Sequence, residues 1–277
     1  MYSSNECIRE SLERNRKVVN KYLPHHLSNL KKNHLHKIRV AIKKINAICQ
    51  LLEFLIPGNA ACNKCYKKTR KTFKALGKLR DLQHNSSYFR NCHLQHVSQK
   101  AYAKFYAIEK HRVSQKIHKA LNHFNPDSFN KSVKKVQKLA RSIPTEEILI
   151  KARQFVIKKM KRVDSLLTLK NFKDPQKIHE VRKLLNLLKH ILNSLYAFNI
   201  SPRKSFPFKL KKMENTIGIW HDKRVLIHFT DTLIKTSQEL QPVTLKPFYL
   251  IKKGLSVENR YDLIFRNIKQ AFERSTS

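Results

Sequence analysis

Residues 36–46 read His36-Lys-Ile-Arg39-Val-Ala-Ile-Lys43-Lys44-Ile-Asn46, and residues 179–189 read His179-Glu-Val-Arg182-Lys-Leu-Leu-Asn186-Leu-Leu-Lys189. The two segments place histidine, arginine and further basic or amide residues at matching spacings. In both, apolar residues recur at steps of three and four, the period of an amphipathic α-helix. Each segment therefore predicts a helix with one apolar face and an opposite face that is mostly basic.

A second pair of motifs follows the first pair in the same order. Leu76-Gly77-Lys-Leu-Arg80-Asp81 is similar to Ile217-Gly218-Ile-Trp220-His221-Asp222, which lies 141 positions later. The first pair is separated by 143 positions, so two unlike motifs recur at nearly one offset. This indicates an internal duplication. We expect one domain made of two similar halves, residues 1–142 and 143–277, each a bundle of about four helices.

The remaining sequence also favours helices. Only 4 glycines occur in 277 residues, which disfavours β-turn-rich folds and glycine-rich phosphate loops. Proline and asparagine punctuate the chain, and Asn125 and Pro144 are typical of helix starts. Other breaks are expected at Pro24, Pro57-Gly58, Asp174-Pro175, Pro202, Pro242 and Pro247. The predicted fold is all-α, with nine to eleven helices.

The charge of the chain points to a polyanionic ligand. There are 58 Lys and Arg residues against 19 Asp and Glu residues, a formal net charge of +39. Such an excess repels itself in a compact domain, whereas a polyanion gains long-range attraction and counterion release from it. No basic leader followed by an apolar segment begins the sequence, and no apolar run is long enough to cross a membrane. Five scattered cysteines favour a reducing, cytoplasmic setting.

The basic faces of the repeats supply the candidate binding residues. No acidic residue interrupts the stripe on either helix face, so the stripes have no built-in counter-charge and should meet solvent or an anion. Arginine binds two phosphate oxygens through its planar fork, and lysine adds a mobile charge. Histidine in the stripe would strengthen binding at mildly acidic pH. The predicted anion-binding residues are His36, Arg39, Lys43, Lys44, Arg70, Lys71, Lys74, Lys78, Arg80, His179, Arg182, Lys189, Lys211, Lys212 and His221.

Two further features of the motifs carry expectations. Gly77 and Gly218 fall within predicted helices, where glycine is unfavourable, so we expect each to mark a close approach to another helix or to an anion. Asn46 and Asn186 stand at stripe positions where a further cation would strengthen the field. We therefore expect the two halves to bind the anion unequally.

These paired motifs resemble the CHAD family, the conserved histidine α-helical domain. Its first signature is similar to His36-x-x-Arg39 with Lys43-Lys44, and its second is similar to His179-x-x-Arg182 with Lys189. The resemblance covers essentially the whole chain. The resemblance implies two four-helix bundles related by a pseudo-twofold axis and a central basic surface that binds inorganic polyphosphate, with phosphate or sulfate as substitutes. It also implies association with polyphosphate granules, without catalysis and without a cofactor.

Other functions are weighed against this one. Phosphoryl-transfer enzymes need clustered metal-binding carboxylates or a phosphate loop, and neither pattern is present. Nucleic-acid binding is the main alternative, although the aromatic residues follow apolar helical spacing rather than forming an exposed stacking surface. Membrane binding is disfavoured because no apolar face accompanies the basic ones.

A structural zinc site is a smaller possibility. Cys62-x-x-Cys65, near the expected start of a helix, and Cys92-His93-x-x-His96 contain four ligands of suitable type. The second half of the repeat has no equivalent of these residues, which favours unliganded thiols.

Overall fold

The computed structural model describes residues 3–23, 32–92, 94–167, 174–195, 206–237, 242–258 and 268. Within these ranges the protein is entirely helical and contains no strand, which confirms the predicted all-α class. The nine helices of these ranges fall at the lower end of the expected number. They are α1 (Ser4–Tyr22), α2 (Lys32–Leu55), α3 (Ala60–Arg90), α4 (His96–Asn122), α5 (Pro126–Arg141), α6 (Thr145–Leu166), α7 (Pro175–Ser194), α8 (Phe206–Thr236) and α9 (Pro242–Glu258).

Local sequence explains where most of these helices begin. The side chain of Asn125 caps α5 by accepting from the Ser128 amide, and the Asp174 side chain caps α7 through the Gln176 amide. Asn59 caps α3 in the same way, after a turn in which Gly58 adopts a φ of 80°. A side-chain oxygen at these positions satisfies an amide that has no partner within the helix. The predicted helix starts at Asn125 and Pro144 are confirmed, since α6 begins at Thr145.

The apolar stripes of the two repeat segments form the centre of the core. Those of α2 and α7 are buried throughout: Ile38, Ile42, Ile45, Cys49, Leu52, Ile178, Val181, Leu185, Leu188 and Leu192. Helix α2 packs on α1, α3, α6 and α7, while α7 packs on α2, α6 and α8. Each repeat helix therefore buries its apolar face against the other repeat helix and the helices around them. The basic faces of α2 and α7 lie near the point where the two helices cross.

One expected break is wrong. Pro247 lies inside α9, in the second turn after Pro242, rather than between two helices. Proline lacks an amide hydrogen and removes one helical hydrogen bond, but a position this close to the first turn limits that loss. Pro242 itself begins α9, as the sequence predicts. Pro24 and Pro202 lie outside the described residues.

Candidate anion-binding groove

Three partly buried cations lie together where α2 crosses α7. Arg39 and Lys43 project from α2, and Arg182 projects from α7; we call these three the central cations. The Arg39 Nη1 donates to the carbonyl oxygen of Phe73 at 3.0 Å, and the guanidinium lies 4.6 Å from the Phe73 ring centre. None of the central cations forms an ion pair with any residue that the structure describes.

The pKa values of the central cations record how closely they are gathered. Burial, with the positive charges of Arg39 and Arg182 acting in the same direction, lowers the pKa of Lys43 to about 8. Burial likewise lowers the Arg39 pKa to about 10 and lowers that of Arg182. Burying a cation without an anionic partner costs free energy, and a bound anion would relieve that cost.

Carboxylates stand beside the central cations but are engaged elsewhere. Arg80 on α3 makes a two-pronged ion pair with Asp222 on α8, at 2.8 Å from each nitrogen, and contacts Asp81 at 3.2 Å. Lys189 on α7 pairs with Glu214 at 2.5 Å. The expectation that the basic stripes lack built-in counter-charge is therefore wrong for Lys189. Asp222 and Glu214 come from a neighbouring helix, which spacing along one helix cannot reveal.

Two of the predicted histidines meet beside the central cations, at the edge of the surface that we call the groove. The rings of His179 on α7 and His221 on α8 stack with centres 5.6 Å apart. Burial lowers the pKa of His221 to about 4, with the Arg182 charge acting in the same direction, and burial also lowers the pKa of His179. The His221 imidazole is therefore neutral at mildly acidic pH in the free protein, and burial also disfavours the charged form of His179. A neutral imidazole offers one N–H donor rather than a positive charge.

The remaining predicted residues form an outer, solvent-facing set. Lys44 is half-buried on α2, beside the central cations. Seven others are exposed on α2, α3 and α8: His36, Arg70, Lys71, Lys74, Lys78, Lys211 and Lys212. Mobile exposed cations of this kind attract a polyanion over distance, while the central cations fix its position.

The two asparagines of the stripes take different roles. The Lys43 Nζ donates to the Asn186 Oδ1 at 3.5 Å, and the Asn186 Nδ2 donates to the Arg182 carbonyl at 3.0 Å. Asn186 therefore joins the Lys43 ammonium on α2 to the α7 backbone at Arg182. Asn46 instead accepts from the Thr69 hydroxyl at 3.4 Å.

The two motif glycines differ as well. A β-carbon at Gly77 would lie 2.9 Å from the Arg39 Nη1, so the expectation of a close approach is confirmed there. A β-carbon at Gly218 would meet nothing within 4 Å, so that residue does not mark a close approach to another helix. Glycine at position 77 gives the Arg39 guanidinium room to reach the Phe73 carbonyl.

The cysteines do not form the zinc site considered from sequence. Cys62 and Cys65 are buried at the start of α3 beside Cys49, whereas Cys92 follows the other end of this 31-residue helix. At 1.5 Å per residue, the two ends of α3 are more than 40 Å apart. His96 is exposed at the start of α4, and His93 lies outside the described residues. Within the described ranges, no cluster of three or more His, Cys, Asp or Glu residues has metal-binding geometry.

Sequence reasoning missed one buried histidine near the groove. His190 is 6% exposed, and neither ring nitrogen has a hydrogen-bond partner among the described residues. Burial lowers its pKa to about 3, and the charges of Lys43 and Lys189 act in the same direction. Its only signal in sequence is a histidine directly after Lys189, one position off the predicted stripe.

The fold and the groove define a helical protein with partly buried cations facing a shared surface. The sequence profile of the CHAD domain matches residues 10–231, which is more than half of the chain. This chain belongs to the CHAD domain family. The crystal structure of the CHAD domain from the plant Ricinus communis has a similar fold, with a TM-score of 0.64 and 14% sequence identity. The alignment covers 96% of this chain and 89% of that one.

Two other comparisons were negative. No curated protein matches the sequence. None of the helices in the described ranges is both long enough and apolar enough to cross a membrane.

Proposed function

We propose that this chain binds inorganic polyphosphate, without catalysis, along the groove that contains the central cations. The observation that carries the proposal is the set of three partly buried cations, Arg39, Lys43 and Arg182, with no ion pair among the described residues. A linear chain of phosphates supplies closely spaced oxygens for a row of such groups. Phosphate and sulfate ions are the expected small substitutes.

The fifteen residues predicted from the sequence contribute to binding in different ways in this proposal. The central cations, together with His179 and His221, hold the phosphate oxygens, because burial fixes their positions and strengthens each electrostatic contact. Arg80 and Lys189 share their charge with carboxylates and contribute less. The exposed lysines and arginines guide the polyanion towards the groove and make binding depend on salt.

The groove is further explained by internal duplication of the chain, with halves 1–142 and 143–277 forming one domain around a pseudo-twofold axis. Residues on such an axis contact their own counterparts. Lys43 and Asn186 differ by the repeat offset and are in contact, and the Ser4 hydroxyl donates to the Thr145 carbonyl at 3.1 Å with nearly the same separation. The Lys43–Asn186 contact makes the two halves of the groove unequal, because a lysine of the first half faces an amide of the second.

The non-catalytic part of the proposal rests on the nearby carboxylates. Asp222 and Glu214 are committed to Arg80 and Lys189, which leaves them unsuited to holding the divalent ions that phosphoryl transfer requires. We also propose a cytoplasmic location with association to polyphosphate granules, which this binding activity would provide.

Competition between long-chain polyphosphate and DNA tests the proposed function. Purified protein is titrated with each polyanion at equal phosphate concentration and at several salt concentrations. We expect polyphosphate to displace both single-stranded and duplex DNA, with affinity that falls steeply as salt rises. Preferential binding of DNA would reassign the groove to nucleic acid.

A further inference from the structure

A second concave site lies beside the groove, between α3, α4, α7 and α8. It is an open cleft of about 910 Å³, within the size range of small-molecule sites. Its floor is apolar and contributed by residues that are at most 9% exposed: Leu82, Phe105, Val113, Trp220 and Phe229. His179 and His221 lie at its edge, so the cleft adjoins the groove that contains Arg182.

One amide oxygen in this floor lacks a hydrogen-bond partner among the described residues. Asn85 lines the cleft and is 2% exposed, yet its Oδ1 accepts no hydrogen bond from any residue in the described ranges. A buried amide normally makes its hydrogen bonds, because leaving them unmade costs stability. An amide oxygen that lacks its donor at the bottom of a cleft is suited to a ligand that supplies an N–H group.

The charges around the cleft favour an anionic group on that ligand. Its three carboxylates each have an arginine partner in the structure: Asp81 with Arg80, Glu109 with Arg112, and Glu180 with Arg162. Its lysines have no ion pair among the described residues: Lys78, Lys177 and Lys183. The ligand that fits is flat and apolar on its faces, hydrogen-bonding at one edge, and negatively charged at one end.

We propose that this cleft binds an adenine nucleotide, with the base over the apolar floor at Asn85 and the phosphates directed towards Lys78 and the His179–His221 pair. The Asn amide matches adenine because one of its atoms accepts from the N6 amino group while another donates to N7. Guanine presents two acceptors at the corresponding edge and does not match. This site shares Lys78, His179 and His221 with the proposed polyphosphate groove, but the base-binding part at Asn85 contains none of the central cations.

The test compares ATP, GTP and inorganic tripolyphosphate by calorimetry at fixed salt. Tripolyphosphate has no base and carries at least as much negative charge as ATP, so charge alone would favour it. We expect ATP to bind roughly tenfold more tightly than tripolyphosphate or GTP, the discrimination of one bidentate amide–base contact. Equal affinities would overturn the proposal, as would an adenine oligonucleotide that binds tenfold more tightly than ATP.

Variants of Asn85 complete the test. Asn85→Leu and Asn85→Ala should lower ATP affinity to the tripolyphosphate level and leave tripolyphosphate and long-chain polyphosphate binding unchanged. Asn85→Leu should also raise the melting temperature, because it removes a buried amide oxygen that lacks a partner. Asn63→Leu, an exposed substitution near the other end of α3, is the matched control. Unchanged ATP binding in both Asn85 variants would overturn the proposal, whereas absence of polyphosphate binding alone would defeat only the proposed function.

Discussion

Arg39 and Gly77 lie in direct contact between α2 and α3, such that a β-carbon at residue 77 would stand 2.9 Å from the Arg39 Nη1. The same nitrogen donates to the Phe73 carbonyl one turn earlier on α3. The absence of a side chain at residue 77 therefore positions a central cation. Gly218, at the related place in α8, has open space around it.

Gly77→Ala and Gly218→Ala should consequently have different effects. Alanine gains about 1 kcal/mol over glycine inside a helix, and Gly218→Ala should show a gain in the free energy of unfolding up to this size. In Gly77→Ala the Arg39 guanidinium must move and lose its hydrogen bond, a loss of similar size or larger. Urea unfolding and polyphosphate titration of both variants check this. Equal stabilisation with unchanged binding in Gly77→Ala would contradict the positioning role.

Asp222→Asn should weaken the fold while strengthening anion binding. The variant removes the carboxylate that makes the two-pronged pair with Arg80 across the α3–α8 interface, leaving a partly buried guanidinium with only the longer contact to Asp81. We expect the free energy of unfolding to fall by about 1 kcal/mol or more, and polyphosphate affinity to rise several-fold. Asp231→Asn is the control, because it removes another α8 carboxylate, one that pairs with Lys252 of α9. An unchanged affinity in Asp222→Asn would place Arg80 outside the reach of the ligand.

Lys43 should couple polyphosphate binding to proton uptake. Its pKa in the folded protein is about 8, below its ordinary value of 10.5, so the unfolded chain holds this proton more strongly. The resulting penalty on stability is complete below about pH 8 and disappears as the pH rises towards 10.5. A bound anion favours the charged form and should therefore draw a proton from the buffer near pH 8.5.

Calorimetry in two buffers of different ionisation enthalpy measures this proton uptake. Lys43→Met should abolish the uptake and weaken binding, whereas Lys43→Arg should abolish the uptake but preserve binding. Lys134→Met, an exposed substitution on α5, removes one charge elsewhere as a control. The same uptake in Lys43→Met as in the unaltered protein would contradict the role of Lys43.

His190 should make the fold sensitive to acid. Its folded pKa of about 3 lies below the ordinary value of 6.5, so protons favour the unfolded chain as the pH falls below 6.5. At about pH 5 this costs roughly 2 kcal/mol. His190→Leu should remove that loss, and His118→Leu, an exposed histidine on α4, should not. Urea unfolding at pH 7 and pH 5 measures this loss of stability. If His190→Leu loses as much stability between the two pH values as the unaltered protein does, other groups are responsible.

The helices and their buried faces were predictable because they follow from local periodicity. Ile38, Ile42 and Ile45 form a stripe that is 0% exposed, as the spacing indicates. The carboxylate partners of Arg80 and Lys189 were not predictable, since Asp222 and Glu214 reach them from another helix. The same limit applies to Gly77 and Gly218, whose motifs are similar but whose neighbours differ. The cleft floor at Asn85 likewise exists only through the packing of four helices.

The most direct test of the central claim is the polyphosphate affinity of the double variant Arg39→Ala, Arg182→Ala. A second double variant, Arg14→Ala with Arg153→Ala, removes the same charge from exposed positions on α1 and α6. If the central cations form the site, the first variant should lose tenfold or more in affinity, with helix content retained and a shallower dependence on salt, while the second changes little. Equal losses in the two variants would show that binding follows net charge and that the groove is not the site.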